Sequence, residues 1–287
     1  MATPIRWNQH GRVAPLGGSK RTDTPLRSLA LSLTHVARAA LSEPYMLTIE
    51  HKRIRLNRLP KVFDGFRIVQ LSDVHHGPFS SREQIERAIE TANRLQPDII
   101  ALTGDYISKE RHYAAPCAEM LGKLKARFGV YAVLGNHDHW VDAPLLTDLF
   151  RAEGITVLIN EGMRFEQNGE TFWIAGVDDS MVGLEDLSLA LAGARQDEMK
   201  LLLAHNPIIL RRAVRASVDL VLSGHTHGGQ VAIRGERSTA RPRKRALQGL
   251  WRQGNTQIYV NRGLGTVVLP IRYGCPPEIS LLELRSN

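Results

Sequence analysis

Five short apolar runs, each ending at a cluster of His, Asp or Asn, constrain the fold of this chain more than any other feature. The runs span residues 66–71, 98–103, 129–134, 200–204 and 218–222. Continuous apolar runs of this length are typical of strands that are buried on both faces. Between the first two runs, apolar side chains recur at helical spacing, with Ser81 as the N-cap and Pro97 beyond the last turn. Strands that alternate with helices predict an α/β fold.

The polar clusters at the ends of these runs contain the residue types that bind divalent metals. In chain order they are Asp73 and His75, Asp105, Asn136 with His137 and Asp138, His205, and His225 with His227. Because the binding crevice of an open α/β sheet lies outside the carboxyl ends of its strands, we expect these side chains to meet. In extended chain, residues two apart point to the same side, so Asp73 and His75 can bind one ion. The same spacing lets His225 and His227 bind one each of two neighbouring ions.

Glycines at the same strand ends indicate sharp turns. Gly104, Gly135 and Gly224 lie where the chain must turn at the site, which a residue without Cβ does most easily. No Ser–His–Asp or Cys–His–Asp arrangement competes for the chemistry, and no Gly-rich phosphate loop precedes a helix. The sequence therefore predicts a metal site at the strand ends.

Further polar residues near the clusters have a structural interpretation as well as a functional one. They are His76, His139, Asp178, Asp179, Arg262, Arg272 and Cys275. We expect the two histidines to support the ligands or face substrate rather than bind metal. The two aspartates follow another apolar run, residues 172–177, and a supporting role is favoured with direct involvement left open. The arginines are candidates for contact with a substrate phosphate, and the cysteine is expected to be buried in a loop.

The net charge of +8 is concentrated in two segments. Residues 1–60 carry ten basic and three acidic side chains, a net +7, and residues 234–252 carry seven basic and one acidic, a net +6. The rest of the chain therefore sums to −5. A local excess of positive charge is typical of contact with an anionic partner. For most of residues 234–248, where Gly, Ser, Pro and Arg predominate, a solvated loop is the favoured interpretation, with contact to substrate phosphate as the alternative. Nucleic acid is not favoured, because residues 234–248 contain no aromatic side chain to stack on a base.

The clusters taken together resemble the motifs of the calcineurin-like metallophosphoesterases, over about residues 44–285. The motifs are Asp73-x-His75, Gly104-Asp105, Gly135-Asn136-His137-Asp138, His205 and Gly224-His225-Thr226-His227. One bacterial branch, the YkuE/YaeI-like phosphodiesterases, is similar also in residues 72–77, 224–230, 259–266 and 274–279. That branch includes a UDP-diacylglucosamine pyrophosphatase of the lipid A pathway.

The resemblance implies a four-layer αββα sandwich of two mixed β-sheets, with a dinuclear metal site at the strand carboxyl ends. It implies that Asp73, His75 and His227 hold the first metal, that Asn136, His205 and His225 hold the second, and that Asp105 bridges them. His137 then takes the catalytic role and is held in place by Asp138. Two divalent ions, of Mn, Fe, Zn or Co, suit this mixed ligand set.

The resemblance also sets the expected domain organisation, a basic N-terminal segment at 1–43 and a metallophosphoesterase domain at 44–287. Residues 29–41 have the pattern of a basic amphipathic helix, which can lie on an anionic membrane surface. A tail leading to a helix packed on the domain is the alternative. No apolar run reaches the ~20 residues of a spanning helix, so we expect neither a transmembrane segment nor a cleaved signal.

Cysteine content bears on the compartment, because Cys117 and Cys275 are too few for a disulfide framework. We therefore expect a cytoplasmic protein, with peripheral contact at the inner face of the membrane left open. Branch members often carry a twin-arginine export signal or an N-terminal anchor, and neither is recognisable in this sequence. The oligomeric state is not predicted by any feature of the sequence.

The expected activity is that of a metal-dependent phosphodiesterase or pyrophosphatase. A hydroxide bridging the two metals would attack phosphorus, and His137, oriented by Asp138, would give a proton to the leaving oxygen. The favoured substrate is a membrane-associated phospholipid-like or UDP-sugar-lipid ester. The alternative is a soluble metallophosphoesterase acting on nucleotides, phosphoproteins or nucleic acid. A third possibility, a non-catalytic metal-binding scaffold, is disfavoured because it would have no reason to retain His137 and a full ligand set.

Overall fold

The computed structural model describes residues 34, 36–231 and 248–287. Most of both basic segments lies outside these residues, as do residues 29–33 and 35 of the predicted amphipathic helix, whereas residues 34 and 36–42 are helical. All the strands described belong to one compact unit, Arg38–Asn287. Within the described part of the chain, no helix combines the length and hydropathy that crossing a bilayer requires.

The described residues form twelve strands that make two sheets. In chain order the strands are β1 (Thr48–Leu56), β2 (Arg67–Leu71), β3 (Ile99–Thr103), β4 (Val130–Val133), β5 (Thr156–Val157), β6 (Glu161–Gln167), β7 (Glu170–Gly176), β8 (Lys200–Leu203), β9 (Leu220–Ser223), β10 (Gly249–Gln253), β11 (Thr256–Val260) and β12 (Glu278–Ser286). The first sheet has the order β1–β12–β2–β3–β4–β5 and the second the order β10–β11–β9–β8–β7–β6.

Both sheets are mixed, with parallel strands at their centres. In the first, β2 to β5 are parallel and β12 runs antiparallel to β2. In the second, β7, β8, β9 and β11 are parallel, and β6 and β10 are antiparallel edge strands. The five apolar runs form β2, β3, β4, β8 and β9, the strands buried almost completely on both faces. Their carboxyl ends therefore meet at one edge of the molecule.

Besides the helical residues 36–42, six α-helices lie in the described part of the chain, most of them on the outer faces of the two sheets. They are α1 (Arg82–Arg94), α2 (Ala114–Leu121), α3 (Asn136–Val141), α4 (Ala143–Ala152), α5 (Leu187–Ala190) and α6 (Leu210–Arg215) among the residues described, with 3-10 turns at Glu43–Tyr45, Lys61–Phe63, Arg111–Tyr113, Pro207–Ile209 and His227–Gly229. The N-cap predicted for α1 is confirmed. Ser81 Oγ accepts from the Gln84 N–H (3.4 Å), and Gln84 Oε1 accepts from the Ser81 N–H (3.0 Å).

Three apolar cores separate four layers. The first packs α1, α2 and α4 on the first sheet, around residues such as Ile89 and Phe150. The second lies between the sheets, where the Phe63 and Phe172 rings meet edge to face with centroids 4.9 Å apart. The third packs α5 and α6 on the second sheet, around Ala213. The helix–sheet–sheet–helix order confirms the predicted α/β sandwich.

Candidate metal centre

The carboxyl ends of both sheets bring the predicted ligands together. Asp73 and His75 follow β2, Asp105 follows β3 and Asn136 begins α3 after β4, while His205 follows β8 and His225 and His227 follow β9. A side chain at the base of the site connects the sheets. Gln70 on β2 donates from Nε2 to Thr103 Oγ1 (3.0 Å) in its own sheet and to Ser223 O (2.9 Å) in the other. The site thus lies between the sheets and draws on both.

The ligand residues lie in turns with left-handed backbone rather than in extended chain. Positive φ angles occur at Asp73 (49°), His75 (47°), Asp105 (58°), His225 (70°) and His227 (50°). The extended spacing that the sequence analysis assumed is therefore wrong. Residues other than glycine rarely adopt this region, and each such residue costs roughly 1–3 kcal/mol. Strain of this kind clusters at functional sites, where the surrounding structure compensates for it.

Hydrogen bonds between loops supply that compensation. The Asp73 N–H donates to Gly104 O (2.9 Å), and the His75 N–H donates to Asp105 O (3.0 Å). The Asp73 carboxylate accepts from the His225 N–H at 3.0 and 3.1 Å. Each turn is thereby fixed by the loop that follows a neighbouring strand.

The predicted glycines occupy points of close approach. Gly104 has φ +91°, and a Cβ there would lie 2.7 Å from His205 Nδ1. A Cβ on Gly224 would overlap the side chains of Ser72 and Asp73. Any larger residue would therefore displace a ligand or its support, which confirms the turn prediction at these two positions.

The first ligand cluster comprises Asp73, His75 and His227. His75 Nε2 lies 3.1 Å from His227 Nε2, and His227 Nε2 lies 3.3 Å from Asp73 Oδ1. One ligand atom from each of the three residues lies within 4.8 Å of the others. All three side chains are buried. The cluster matches the set expected for the first metal.

The second cluster comprises Asp105, His205 and His225. His205 Nε2 lies 3.2 Å from Asp105 Oδ2 and 3.1 Å from His225 Nδ1. The same Asp105 oxygen lies 3.6 Å from His75 Nε2, so this carboxylate faces both clusters. Asn136 is buried and directly precedes His137, whose N–H donates to Asp105 Oδ1. The Asn136 Oδ1 atom has no hydrogen-bond partner.

These features fit two divalent cations. An orphaned buried amide oxygen lacks a partner that a cation would supply, because buried polar atoms are otherwise nearly always satisfied. Facing ring nitrogens at 3.1 Å repel through their lone pairs unless a proton or a cation lies between them. Nitrogen and oxygen donors in this combination are those of Mn, Fe, Zn or Co sites.

The electrostatics of the clusters also suit metal binding. Burial lowers the pKa of His75 to about 3 and that of His227 to about 4, which keeps both imidazoles neutral, the form that binds metals. Burial opposes protonation of His205 as well, yet the adjacent Asp105 carboxylate outweighs it and raises the pKa of His205 to about 10. A cation binding here would replace that proton.

His137 lies at the edge of the first cluster. Its ring is 4.8 Å from the His75 ring, centroid to centroid, and it is half-buried. Its backbone N–H donates to Asp105 Oδ1 (2.9 Å). Its Nδ1 lies 3.0 Å from Ser108 O, and because a carbonyl only accepts, Nδ1 carries the hydrogen. Nε2 is then the nitrogen left to exchange a proton with a bound molecule.

Asp138 organises backbone rather than the His137 ring. Its carboxylate is fully buried and accepts from the N–H groups of Asp105 (2.9 Å), Tyr106 (2.8 Å), Gly135 (2.9 Å) and Ile107 (3.4 Å). Burial and the Asp105 carboxylate raise the pKa of Asp138 to about 7. The expectation that Asp138 orients the neighbouring imidazole is thus corrected, since the Ser108 carbonyl holds that ring.

The additional histidines lie outside every candidate ligand group of the described residues. His76 contacts Ser80 O through Nδ1 (3.1 Å), and His139 Nε2 lies 2.5 Å from Asp178 Oδ1. Both observations agree with the supporting role expected for these histidines and for Asp178. Asp179 is buried, accepts from the Met181 N–H and keeps Oδ2 without a hydrogen-bond partner.

The arginines proposed for substrate contact are engaged within the protein. Arg262 forms ion pairs with Glu278 (3.0 Å) and Glu50 (3.2 Å). Arg272 is completely buried, donates to backbone carbonyls including that of Cys275, and contacts His227 Nδ1 at 3.4 Å. Both guanidinium groups therefore have partners within the protein, and their contact with a substrate phosphate stays a prediction. Cys275 is buried, as predicted.

Some supporting groups were missed from the sequence. Ser108 acts through its backbone carbonyl, which no residue pattern reveals. The sequence of residues 259–266 indicated only similarity to the bacterial branch and no role in the site. In the structure, the Leu264 N–H donates to Ser72 O (3.0 Å) and the Gly265 N–H donates to Asp73 O (2.7 Å). Its glycines, which permit this close approach to the Asp73 turn, were the available signal.

Two mixed sheets whose strand ends share a cluster of nitrogen and oxygen ligands define an α/β protein with a candidate metal centre. Residues 66–229 match the calcineurin-like phosphoesterase family. The chain belongs to that family, which confirms the resemblance.

Relatives span most of the chain. The uncharacterized metallophosphoesterase YkuE of Bacillus subtilis is 36% identical over 251 residues, covering 85% of this chain and 88% of that protein. The phosphodiesterase YaeI of Escherichia coli is 32% identical over 226 residues, covering 76% and 82%. A transmembrane protein with metallophosphoesterase domain from Bos taurus is 32% identical over 265 residues, covering 86% of this chain but 58% of that protein.

Proposed function

We propose that the protein hydrolyses phosphodiester or pyrophosphate bonds with the help of two divalent cations. The observation that carries the proposal is the pair of adjoining ligand clusters: Asp105 belongs to the second and lies 3.6 Å from His75 of the first, and His137 forms a further group with these two residues. A non-catalytic scaffold would need the ligands but not a half-buried histidine whose free ring nitrogen borders them.

In this proposal the buried side chains divide between two cations. Asp73, His75 and His227 hold one, Asn136, His205 and His225 hold the other, and Asp105 contacts both. Bound there, the cations would neutralise phosphate oxygens and lower the pKa of a water molecule. The turns fixed by loop-to-loop hydrogen bonds keep the ligands in place before the cations arrive.

His137 is the proposed catalytic acid. Its Nδ1–H is committed to Ser108 O, so protonated Nε2 is the group that can donate to the leaving oxygen. The hydrogen bond from the His137 backbone N–H to Asp105 Oδ1 holds His137 close to the Asp105 carboxylate. Asp138 has a positioning role, because it holds the backbone around both Asp105 and His137.

Hydrolysis of bis(p-nitrophenyl) phosphate by protein loaded with Mn²⁺, Zn²⁺, Fe²⁺ or Co²⁺ tests this proposal. For glycerophosphocholine, whose alkoxide leaving group needs a proton, we expect His137→Gln to lower kcat about 100- to 10,000-fold without loss of bound metal. His51→Gln, at an exposed histidine on β1, is the matched control and should leave kcat unchanged. Inactive metal-loaded wild type, or full activity in His137→Gln, would refute the mechanism.

The proposed substrate is a lipid-linked ester at an anionic membrane surface. The basic N-terminal segment supports this choice, as do the neighbouring Leu41, Tyr45 and Met46, each more than half exposed. Apolar side chains beside basic ones are the composition that binds anionic bilayers. A related protein is named for its transmembrane part, which also favours a membrane setting.

Vesicle co-sedimentation of the full chain tests the membrane contact. The test variant neutralises six basic residues by substitution with Gln: Arg6, Arg12, Lys20, Arg21, Arg27 and Arg38. Because each basic group near a surface contributes about 1 kcal/mol, we expect the variant to lose binding to phosphatidylserine vesicles. Phosphatidylcholine vesicles are the control. Equal binding of wild type and variant to the anionic vesicles would contradict the proposal.

A further inference from the structure

One large aromatic side chain beside the candidate catalytic histidine is exposed. Trp140 lies one turn after His137 on α3, and its ring centroid is 4.8 Å from that of His137, at an interplanar angle of 56°. Its relative exposure is 60%, the highest of the tryptophans that the structure describes. Residues three apart on a helix share a face, so the two rings are presented to solvent together.

Packing does not account for Trp140. The buried residues of α3 are Asn136 and Asp138, so the helix is held without the indole. The other described tryptophans have hydrogen-bonded indole groups: Trp173 Nε1 donates to Ala190 O (3.0 Å) and Trp251 Nε1 to Gln248 O (2.8 Å). No such bond is found for Trp140 within the described residues. Its apolar faces and its N–H are both available to a ligand.

The position of the Trp140 ring places it near the leaving group of the substrate. The His137 ring contacts both the His75 ring and the Trp140 ring, each at 4.8 Å from centroid to centroid. The atom that receives the proton from His137 belongs to the leaving group. Whatever group extends from that atom, away from the metal ligands, therefore passes within reach of the indole.

We propose that Trp140 determines leaving-group specificity by stacking on a planar aromatic ring, of the kind found in nucleobases and aryl esters. This inference rests on the proposed function, because it takes His137 as the acid. An exposed indole offers dispersion and offset stacking to a flat ring, and gives much less to a small alkyl group. A ring at one end of the ester is compatible with a lipid at the other.

Steady-state kinetics on two diesters test the proposal: bis(p-nitrophenyl) phosphate, whose leaving group is an aryl ring, and glycerophosphocholine, which contains no ring. For Trp140→Ala we expect KM for the aryl diester to rise about 3- to 10-fold, with kcat within twofold and no change for glycerophosphocholine. Trp140→Phe should retain most of the aryl preference. Trp251→Ala, at an exposed tryptophan on the edge strand β10, is the matched control.

Equilibrium binding separates this inference from the proposed function. Metal-loaded protein is titrated with phenylphosphonate and with methylphosphonate, and the affinity ratio is compared between wild type and Trp140→Ala. Loss of the phenyl preference in the variant supports the inference even if wild type hydrolyses neither diester, a result that would instead refute the proposed function. An unchanged phenyl preference, or equal effects of the substitution on ring-bearing and ring-free ligands, would overturn the inference.

Discussion

Replacing Asp138 by Asn tests whether this carboxylate holds the surrounding backbone in place or takes part directly in the reaction. Its Oδ2 accepts from the N–H groups of Asp105 and Gly135, and its Oδ1 from those of Tyr106 and Ile107. The amide of Asn keeps one acceptor oxygen and turns an NH₂ group toward the other pair. Two buried N–H groups are then unpaired, at about 1–3 kcal/mol each.

The expected cost of Asp138→Asn is therefore about 2–6 kcal/mol, a large part of the roughly 5–15 kcal/mol that stabilises a typical domain. Urea unfolding of metal-free protein measures it. Asp142→Asn is the matched control: Asp142 caps α4 by accepting from the Leu145 N–H, and Asn caps equally well. The control should unfold close to the wild-type urea concentration, because its exposed ion pair with Arg111 contributes little to stability.

The activity of Asp138→Asn can refute the positioning role. We expect the folded, metal-loaded fraction of Asp138→Asn to lose activity because Asp105 and His137 shift, and less completely than His137→Gln does. If Asp138→Asn unfolds at the wild-type urea concentration and is as inactive as His137→Gln, Asp138 acts directly on the reacting atoms. The backbone role argued from its four hydrogen bonds would then be wrong.

Three further predictions concern the turns, the outer histidine and the cations. Gly104→Ala should weaken metal binding, measured by calorimetry, because its Cβ would press on His205, whereas Gly154→Ala, also at positive φ but with nothing within 4 Å, should cost stability alone. Burial opposes protonation of His139, but the hydrogen bond to Asp178 outweighs it and raises the pKa of His139 above its ordinary value of 6.5. The stabilisation by this pair is therefore complete below that value and is lost as pH rises through the folded-state pKa, so His139→Gln should destabilise by about 1.5 kcal/mol near pH 6 and by less near pH 9 in urea titrations. Removal of metal with EDTA should abolish phosphodiester hydrolysis and lower Tm, and re-addition of divalent cation should reverse both effects; a Tm that is independent of metal would contradict the assigned ligands.

The strands and the identity of the ligand cluster could be predicted because both follow from local rules. Runs such as 99–102 are apolar throughout, which is typical of a strand covered on both faces, and parallel strands end at a common edge. The backbone at Asp73 and His75 could not be predicted, because their turns are fixed by carbonyls of Gly104 and Asp105, contacts between segments distant in sequence.

Partners provided by the backbone were likewise beyond sequence reasoning. Adjacency in the chain suggested that Asp138 would orient His137, but consecutive residues on a helix point in different directions. The Asp138 side chain turns inward to four N–H groups, and the imidazole turns to Ser108 O. For Arg262 and Arg272, charge alone indicated phosphate contact, and only the fold places them against Glu278 and buried carbonyls.

Ligands drawn from both sheets have a consequence for how the molecule acquires its cations. Asp73 and Asp105 emerge early in synthesis, on one sheet, whereas His205 and His227 emerge about a hundred residues later on the other. Neither half assembles a complete coordination sphere, so a cation cannot nucleate folding of the first half. If the proposed ligands hold two cations, complete binding requires both sheets to be in place, and the ions would connect the sheets and resist their separation. Metal-free protein would then separate its sheets more readily than metal-loaded protein.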